Sequence, residues 1–341
     1  MTAIGIDTHK ATLAACALDE LGQPLDERTF PNDPAGHLAL LSWADEHLPD
    51  ARIGLEGSAG FGAAAARFLV AAGREVREVP PHLSHRERQR TRRPGKTDPG
   101  DALAIARVTA REATLPPVRL ADATREIGLL VEDRDDLVAE ATRVRNRLHA
   151  DLVVLVPGYG ATAANLVAER HCRTVGRRLR SMPGIQAERA RARLSRLGRL
   201  VAEAKALEIR LAGLVGDHPL LRLPGAGVLV TAKLIGEAGD LGRFRSADAF
   251  AMLAGVAPIP ASSGQTQRMR LNRGGNRQLN RALHSIALTQ AWHHQPAKAY
   301  IARKRAEGKT WREALRALKR HLARVVFKLL VSPTDVGQLA G

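Results

Sequence analysis

The first hundred residues alternate short apolar runs with amphipathic stretches. Ala3, Ile4 and Ile6 form a brief buried-strand pattern that ends on Asp7. Ala11 to Leu18 is apolar and of strand length, Gly22-Gln-Pro24 marks a turn, and Leu25 to Phe30 reads as a third strand. Pro34 to His47 carries Leu38, Leu41 and Trp43 at helical spacing behind Asp33, a helix-capping residue. Arg52 to Glu56 is a further short strand ending in a carboxylate. Gly57-Ser-Ala-Gly60 then turns the chain into a helix over Phe61 to Ala72, and Glu75 to Val79 reads as a fifth strand.

Three strands followed by alternating helix and strand is the order of a ribonuclease-H-like α/β domain. Beyond it the period changes. Leu115-Pro-Pro117 breaks the chain, and from Asp122 to Val156 apolar residues fall into heptads. Ile127, Ala141, Leu148 and Leu155 lie on one seam position, Leu130, Leu137 and Val144 on the other, with Arg134 interrupting. Ala187 to Gly216 repeats the pattern through Leu194, Leu197, Val201, Ala204, Leu211 and Val215. Two such helices make either an antiparallel hairpin or a dimer seam. The remainder reads as helical over Phe244 to Gly255, Asn276 to Trp292 and Thr310 to Leu330. In the last of these Leu315, Leu318, Leu322, Val325, Val326 and Leu329 face inward.

At 341 residues the chain has room for two or so cores. No apolar run reaches the roughly 18 residues of a membrane span, and no secretory signal opens the chain. Cys16 and Cys172 are too few for a disulfide framework, which points to a reducing cytoplasm. The formal charge is +17, and 43 of the 52 basic residues are Arg. Such an excess implies a polyanionic partner, with nucleic acid first. Aromatics at 3% argue against a reader of single strands by stacking.

The charge is concentrated in places. Pro80 to Gly95 holds Arg86, Arg88, Arg90, Arg92 and Arg93, bounded by prolines, and reads as a mobile basic loop. The alternative is a solvated charge run. Lys96 follows, and Arg143 and Arg147 line outer faces of the first heptad helix. Leu223-Pro-Gly-Ala-Gly227 resembles a helix-hairpin-helix turn, in which Gly225 and Gly227 let backbone amides approach a phosphate; an ordinary glycine-rich helix entry fits as well. Pro258-Ile-Pro-Ala-Ser-Ser-Gly264 is a stiff turn with two hydroxyls, followed by Arg268, Arg270, Arg273 and Arg277. Serine beside glycine is either a turn residue or, facing so many cations, a candidate for phosphate chemistry.

Four carboxylates complete the pattern. Asp7 and Glu56 end strands, where each is a turn-former or a metal ligand. Asp98 and Asp101 share one face of a helix start, where they are caps or ligands. A ribonuclease-H-like sheet would bring all four together. Two carboxylates about 4 Å apart repel by about 4 kcal/mol at an effective dielectric near 20, so such a cluster takes up protons or holds a cation. Oxygen-only ligands suit Mg2+ or Mn2+.

Gly5-Ile-Asp-Thr-His-Lys10, Leu55-Glu-Gly57, Lys96-Thr-Asp-Pro-Gly-Asp-Ala102, Leu223-Pro-Gly-Ala-Gly227, Gly255-Val-Ala-Pro258, Ser262-Ser-Gly264 and Arg270-Leu-Asn-Arg-Gly-Gly-Asn276 occur in the order of the DEDD insertion-sequence transposases. The chain resembles these relatives of the Piv DNA invertases, the bridge-RNA-guided recombinases, over nearly its whole length. It departs at Gly57-Ser-Ala-Gly-Phe61, where many relatives carry Thr-Gly and Tyr. The resemblance implies a RuvC-like metal-binding nuclease domain over 1–112, a basic coiled-coil connector over 118–216 and a mostly helical transposase domain over 217–332. It implies that Asp7, Glu56, Asp98 and Asp101 hold the metal, and that Ser263, rather than its neighbour Ser262, is the nucleophile. It further implies a covalent phosphoserine intermediate, donor and target double-stranded DNA, a guide RNA and a homo-oligomer, dimer or tetramer. Two other readings keep parts of the pattern: a junction-resolving endonuclease using water, and a non-catalytic nucleic-acid scaffold.

Overall fold

The computed structural model describes residues 2–58, 60–90, 98–118, 123–161, 166–261, 269–272 and 274–331, without the side chains of 98, 99, 123 and 161. The chain divides into two compact units, 1–122 and 123–341. Each has its own hydrophobic core.

The first unit is a five-stranded sheet with helices. Its elements are β1 (Ala3–Thr8), β2 (Thr12–Leu18), β3 (Pro24–Pro31), α1 (Pro34–His47), β4 (Arg52–Leu55), α2 (Ala63–Ala71), β5 (Val76–Glu78), α3 (Pro81–Arg90) and α4 (Asp98–Arg111). The sheet order is β3-β2-β1-β4-β5. The first three strands form an antiparallel meander, and β4 and β5 add in parallel. This is the ribonuclease-H-like order expected. Asp33 caps α1, its Oδ1 accepting the Gly36 N–H at 2.8 Å. Leu38, expected inward on α1, is 59% exposed; Leu40, Trp43 and Ala44 make the contact with the sheet instead. The Trp43 indole N–H donates to Asp26 Oδ2 at 2.7 Å, which fixes α1 against β3.

Gly5 and Gly54 sit side by side on β1 and β4 and clear a furrow for α4. A Cβ at Gly5 would lie 2.1 Å from the Ala106 nitrogen and 2.4 Å from the Ala102 carbonyl oxygen. Backbone cannot yield as a flexible side chain does. Gly5→Ala is therefore expected to destabilise the first unit by about 3 kcal/mol, read as a lower denaturant midpoint.

The second unit is helical: α5 (Ala123–Leu155), α6 (Glu169–Arg180), α7 (Ile185–Val215), α8 (Val228–Ala238), α9 (Ala247–Leu253), α10 (Arg277–His293), α11 (Gln295–Ala306) and α12 (Trp311–Val331), with a two-stranded ribbon, β6 (Ile259–Pro260) and β7 (Met269–Arg270). The heptad helices α5 and α7 pack on each other within one chain. Their ion pairs run in opposite senses, Glu126 with Arg210, Arg134 with Glu208, Glu140 with Arg196 and Asp151 with Arg193. That makes an antiparallel hairpin, and it explains Arg134: the residue that breaks the seam is spent on Glu208, at 2.7 Å. Val201, expected in the seam, is 42% exposed, and Leu200 is buried in its stead. On α12, Leu315, Leu318, Leu322, Val326 and Leu329 are buried as their spacing predicts.

Candidate active site

β1 and β4 run in parallel, with Ile6 beside Leu55. Asp7 and Glu56, each the next residue along, therefore emerge at the same end of adjacent strands. The Glu56 N–H donates to the Ile6 carbonyl at 3.3 Å and the Thr8 hydroxyl to the Glu56 carbonyl at 2.8 Å, which ties the two strand ends together. Asp101 immediately precedes Ala102, which with Ala106 rests in the Gly5 furrow, and it is only 5% exposed. Three of the four predicted acids thus come from three elements whose backbones touch. Asp98 opens α4, and its side chain lies outside the described residues.

The electrostatics agree with that proximity. Burial pushes the Asp7 carboxyl above the ordinary value of 3.8; His9 opposes the shift, while the charges of Asp101 and Glu56 add to it. Asp7 Oδ2 is buried and accepts no hydrogen bond among the described residues, although His9 Nε2 stands 3.2 Å away. The other two acids have partners. The Ser84 hydroxyl donates to Glu56 Oε2 at 2.6 Å, and Arg88 pairs with Asp101 at 3.2 Å. Engaged in this way, no three His, Cys, Asp or Glu side chains among the described residues close into a set around an ion. The donor chemistry fits a hard divalent cation nonetheless: oxygen ligands, mutual repulsion and one buried oxygen that accepts no hydrogen bond among the described residues.

Asp7 carries a pH signature. Its raised pKa means that the folded protein takes up this proton at a higher pH than the unfolded chain does. Its contribution to stability is complete below the ordinary carboxylate value and is lost as pH rises through the raised one. Asp7→Asn is therefore expected to raise the melting temperature of metal-free protein near neutrality and to leave it unchanged in acid, as thermal melts across pH would show.

Ser84, Glu87 and Glu78 were not picked out from the sequence, and Arg88 only as a nucleic-acid contact. Ser84, Glu87 and Arg88 belong to α3, so the expected mobile loop over 80–95 is a helix as far as Arg90. Ser84 and Glu87 are buried, and Glu87 receives Arg111 of α4 at 2.7 Å. Their i, i+3 spacing was the available signal; the density of arginine masked it. Glu78, at the end of β5, accepts the Gly57 and Ser58 N–H groups at 3.2 and 3.0 Å. It thereby shapes the turn after Glu56, where Gly57 has φ of +83°. Burial raises the Glu78 pKa.

The predicted basic residues are distributed differently from one another. Arg86 and Arg90 are exposed on α3, whereas Arg88 is engaged by Asp101. Arg143 and Arg147 are exposed on α5, Arg270 on β7 and Arg277 at the start of α10. Arg92, Arg93, Lys96, Arg268, Arg273, Ser262 and Ser263 lie outside the described residues. Gly225, with φ of +91°, is used for packing: a Cβ there would lie 2.9 Å from Thr289 of α10. Gly227 caps α8 and faces open space.

In the second unit the residues flanking Ser263 are held at both ends. β6 pairs with β7, Ile259 beside Arg270. Below the ribbon Gly255 and Gly275 touch, since a Cβ on Gly275 would meet the Gly255 Cα at 2.3 Å. Asn280 Nδ2 donates to the Ala254 and Gly255 carbonyls at 2.9 and 3.2 Å.

Known proteins share this arrangement of sequence. A family model of the IS110 DEDD type, described as a transposase, matches residues 4–157, and one described as a transposase of the IS116/IS110/IS902 family matches residues 217–302. The uncharacterized 43.6 kDa protein of insertion element IS110 from Streptomyces coelicolor is 29% identical over 377 residues, covering 96% of this chain and 93% of that one. The uncharacterized 42 kDa protein of insertion element IS900 from Mycobacterium paratuberculosis is 27% identical, over 96% and 94% of the two chains. A pilin gene-inverting protein of Moraxella lacunata is 25% identical, over 96% and 95%.

Proposed function

The chain belongs to the IS116/IS110/IS902 transposase family of DNA-rearranging enzymes, and from that premise we propose that it cuts and rejoins DNA through a covalent phosphoserine intermediate on Ser263, assisted by Mg2+ or Mn2+ held by Asp7, Glu56, Asp98 and Asp101. The observation that carries the metal reading is the buried Oδ2 of Asp7, which accepts no hydrogen bond among the described residues beyond the nearby His9 ring and lies within the field of the Asp101 and Glu56 charges. A divalent ion bound there would supply Lewis-acid stabilisation of the attacking and leaving oxygens.

The protein's own steps are simple. Ser263 Oγ attacks phosphorus, an O–P bond forms to serine, and the bond to the leaving deoxyribose oxygen breaks. That oxygen takes the proton which serine gives up. In the second step the hydroxyl of another strand attacks the phosphoserine, and serine regains a proton. The ester conserves the energy of the phosphodiester, so joining needs no nucleotide triphosphate. Glu78 positions Glu56 by holding the two amides that follow it.

We assign the remaining partners on chemistry. The basic residues of α3, α5, β7 and α10, together with Lys96, Arg268 and Arg273, would neutralise DNA phosphates, and Gly225 and Gly227 lie at the turn proposed to approach one. The excess of arginine also suits a structured guide RNA. The helical unit would divide in function near residue 216, into a connector and a catalytic part, and assembly into a dimer or tetramer would let two copies act on two DNA sites. The chain would work in the cytoplasm.

Two measurements test this reading. Mg2+ or Mn2+ added to wild-type protein is expected to raise its melting temperature, and Asp7→Asn to lose that response; equal responses would remove Asp7 from the metal site. Purification from the host carrying the flanking DNA, followed by sequencing of bound RNA, is expected to return one discrete species. Heterogeneous RNA, or none, would dismiss the guide.

A further inference from the structure

A cavity of about 530 Å3 opens between α10 and α12, lined by Arg277, Asn280, Arg281, His284 and Lys319. Its walls carry positive charge. Among the described residues no carboxylate pairs with Arg277, Arg281 or Lys319. Neighbouring cations are satisfied elsewhere, Arg320 and Arg324 on Asp248 and Arg316 on Glu313. Lys319 is only partly exposed, and among the described residues its hydrogen bond goes to Asn280 Oδ1 at 2.8 Å. Asn280 is fixed in turn by the two carbonyls of Ala254 and Gly255, so its acceptor oxygen presents the ammonium at a set place. Burial and the charge of Arg316 lower the Lys319 pKa, and burial and Lys319 lower that of His284. Gathering cations in a concave, partly desolvated place is unfavourable unless an anion arrives.

A second cavity, of about 430 Å3, shares Asn280 and Lys319 and is lined also by Gly255, Pro258, Leu271 and Asn272. These residues lie on the two chain segments that lead into and out of the serine turn. Lys319 and Asn280 thus line both cavities. We propose that the α10–α12 cleft binds a phosphodiester of the DNA strand, with Lys319 as its central contact and Arg277 and Arg281, one helical turn apart, on its rim. The placement beside the serine turn rests on the reading of Ser263 as nucleophile; the phosphate site itself does not. An ammonium with two hydrogen-bond donors unspent, and arginines able to fork onto phosphate oxygens, are the chemistry that recognises such a group.

The test is the salt dependence of binding by the full-length protein to a DNA duplex from the flanking sequence. Lys319→Gln keeps a donor for Asn280 but removes the charge. It is expected to weaken binding about tenfold at low salt and to flatten the slope of log K against log salt by about 0.9, the loss of one phosphate contact. Arg281→Gln, on an exposed rim position, should flatten it similarly, and Lys319→Arg should restore it. Ser263→Ala should keep the wild-type slope, so failure of the serine reading would leave this comparison intact. Unchanged slopes in folded Lys319→Gln and Arg281→Gln would overturn the proposal. So would a slope change seen with an RNA duplex but not with DNA. Inorganic phosphate at matched ionic strength should compete no better than chloride; saturable competition that Lys319→Gln abolishes would make the cleft a free-anion site instead.

Discussion

Ser263→Ala is expected to abolish strand joining and to leave no protein–DNA adduct on a denaturing gel, with joined product falling by about 10^5-fold. The size follows from the role. A nucleophile that forms the intermediate has no substitute within the same pathway, and a methyl group cannot form an ester. DNA binding should survive, because removing one hydroxyl leaves the cationic side chains that contact phosphate untouched. The outcome also separates the readings of the acidic site. Cutting that persists at wild-type rate, with water in place of the hydroxyl, would make the protein a metal-dependent nuclease and Ser263 a turn residue.

Asp7→Asn should be nearly as damaging to chemistry while leaving the fold intact or firmer. Asparagine keeps the shape and one acceptor, but it neither balances a divalent cation nor repels Glu56 and Asp101. Loss of about 10^3-fold in the first strand cut corresponds to about 4 kcal/mol of transition-state stabilisation. The opposing movements of activity and melting temperature distinguish a functional acid from a structural one, since a structural carboxylate would lose stability on substitution. A non-catalytic scaffold would show neither change in activity. Glu56→Gln should resemble it in activity, with a smaller effect on melting because the Ser84 hydroxyl still has an amide oxygen to donate to.

Much of this site could be read from residue order. Asp7 and Glu56 end short apolar runs, and runs of that kind become adjacent parallel strands once a helix connects them. Asp101 was recognisable by its place in the first turn of a helix, three residues after Asp98; Ala102 and Ala106 of that helix meet Gly5 on β1. The helix α3 was hidden because its buried face is polar. Ser84 and Glu87 face inward toward Glu56 and Arg111, and hydrophobic periodicity carries no trace of such a face. α6 was hidden for another reason: its buried face is only two apolar residues, Val175 and Leu179, among five arginines. Leu38 and Val201 show the complementary error: an apolar residue at a plausible spacing one position away from the true seam. The hairpin of α5 and α7 was undecidable in advance because its directing contacts are charge pairs between residues some 40 to 85 positions apart.

The contact between Gly255 and Gly275 makes the segment between them a separable module. Its two stems meet backbone to backbone, and the Asn276 N–H reaches across to the Leu253 carbonyl at 2.6 Å. Whatever the chain does between them, α9 and α10 are already joined. Closing a longer loop on such a clasp costs only about 0.6 kcal/mol per doubling of its length. Natural variation and laboratory grafting can therefore exchange the whole insert as a cassette, with both stem glycines retained, without refolding the scaffold that presents it.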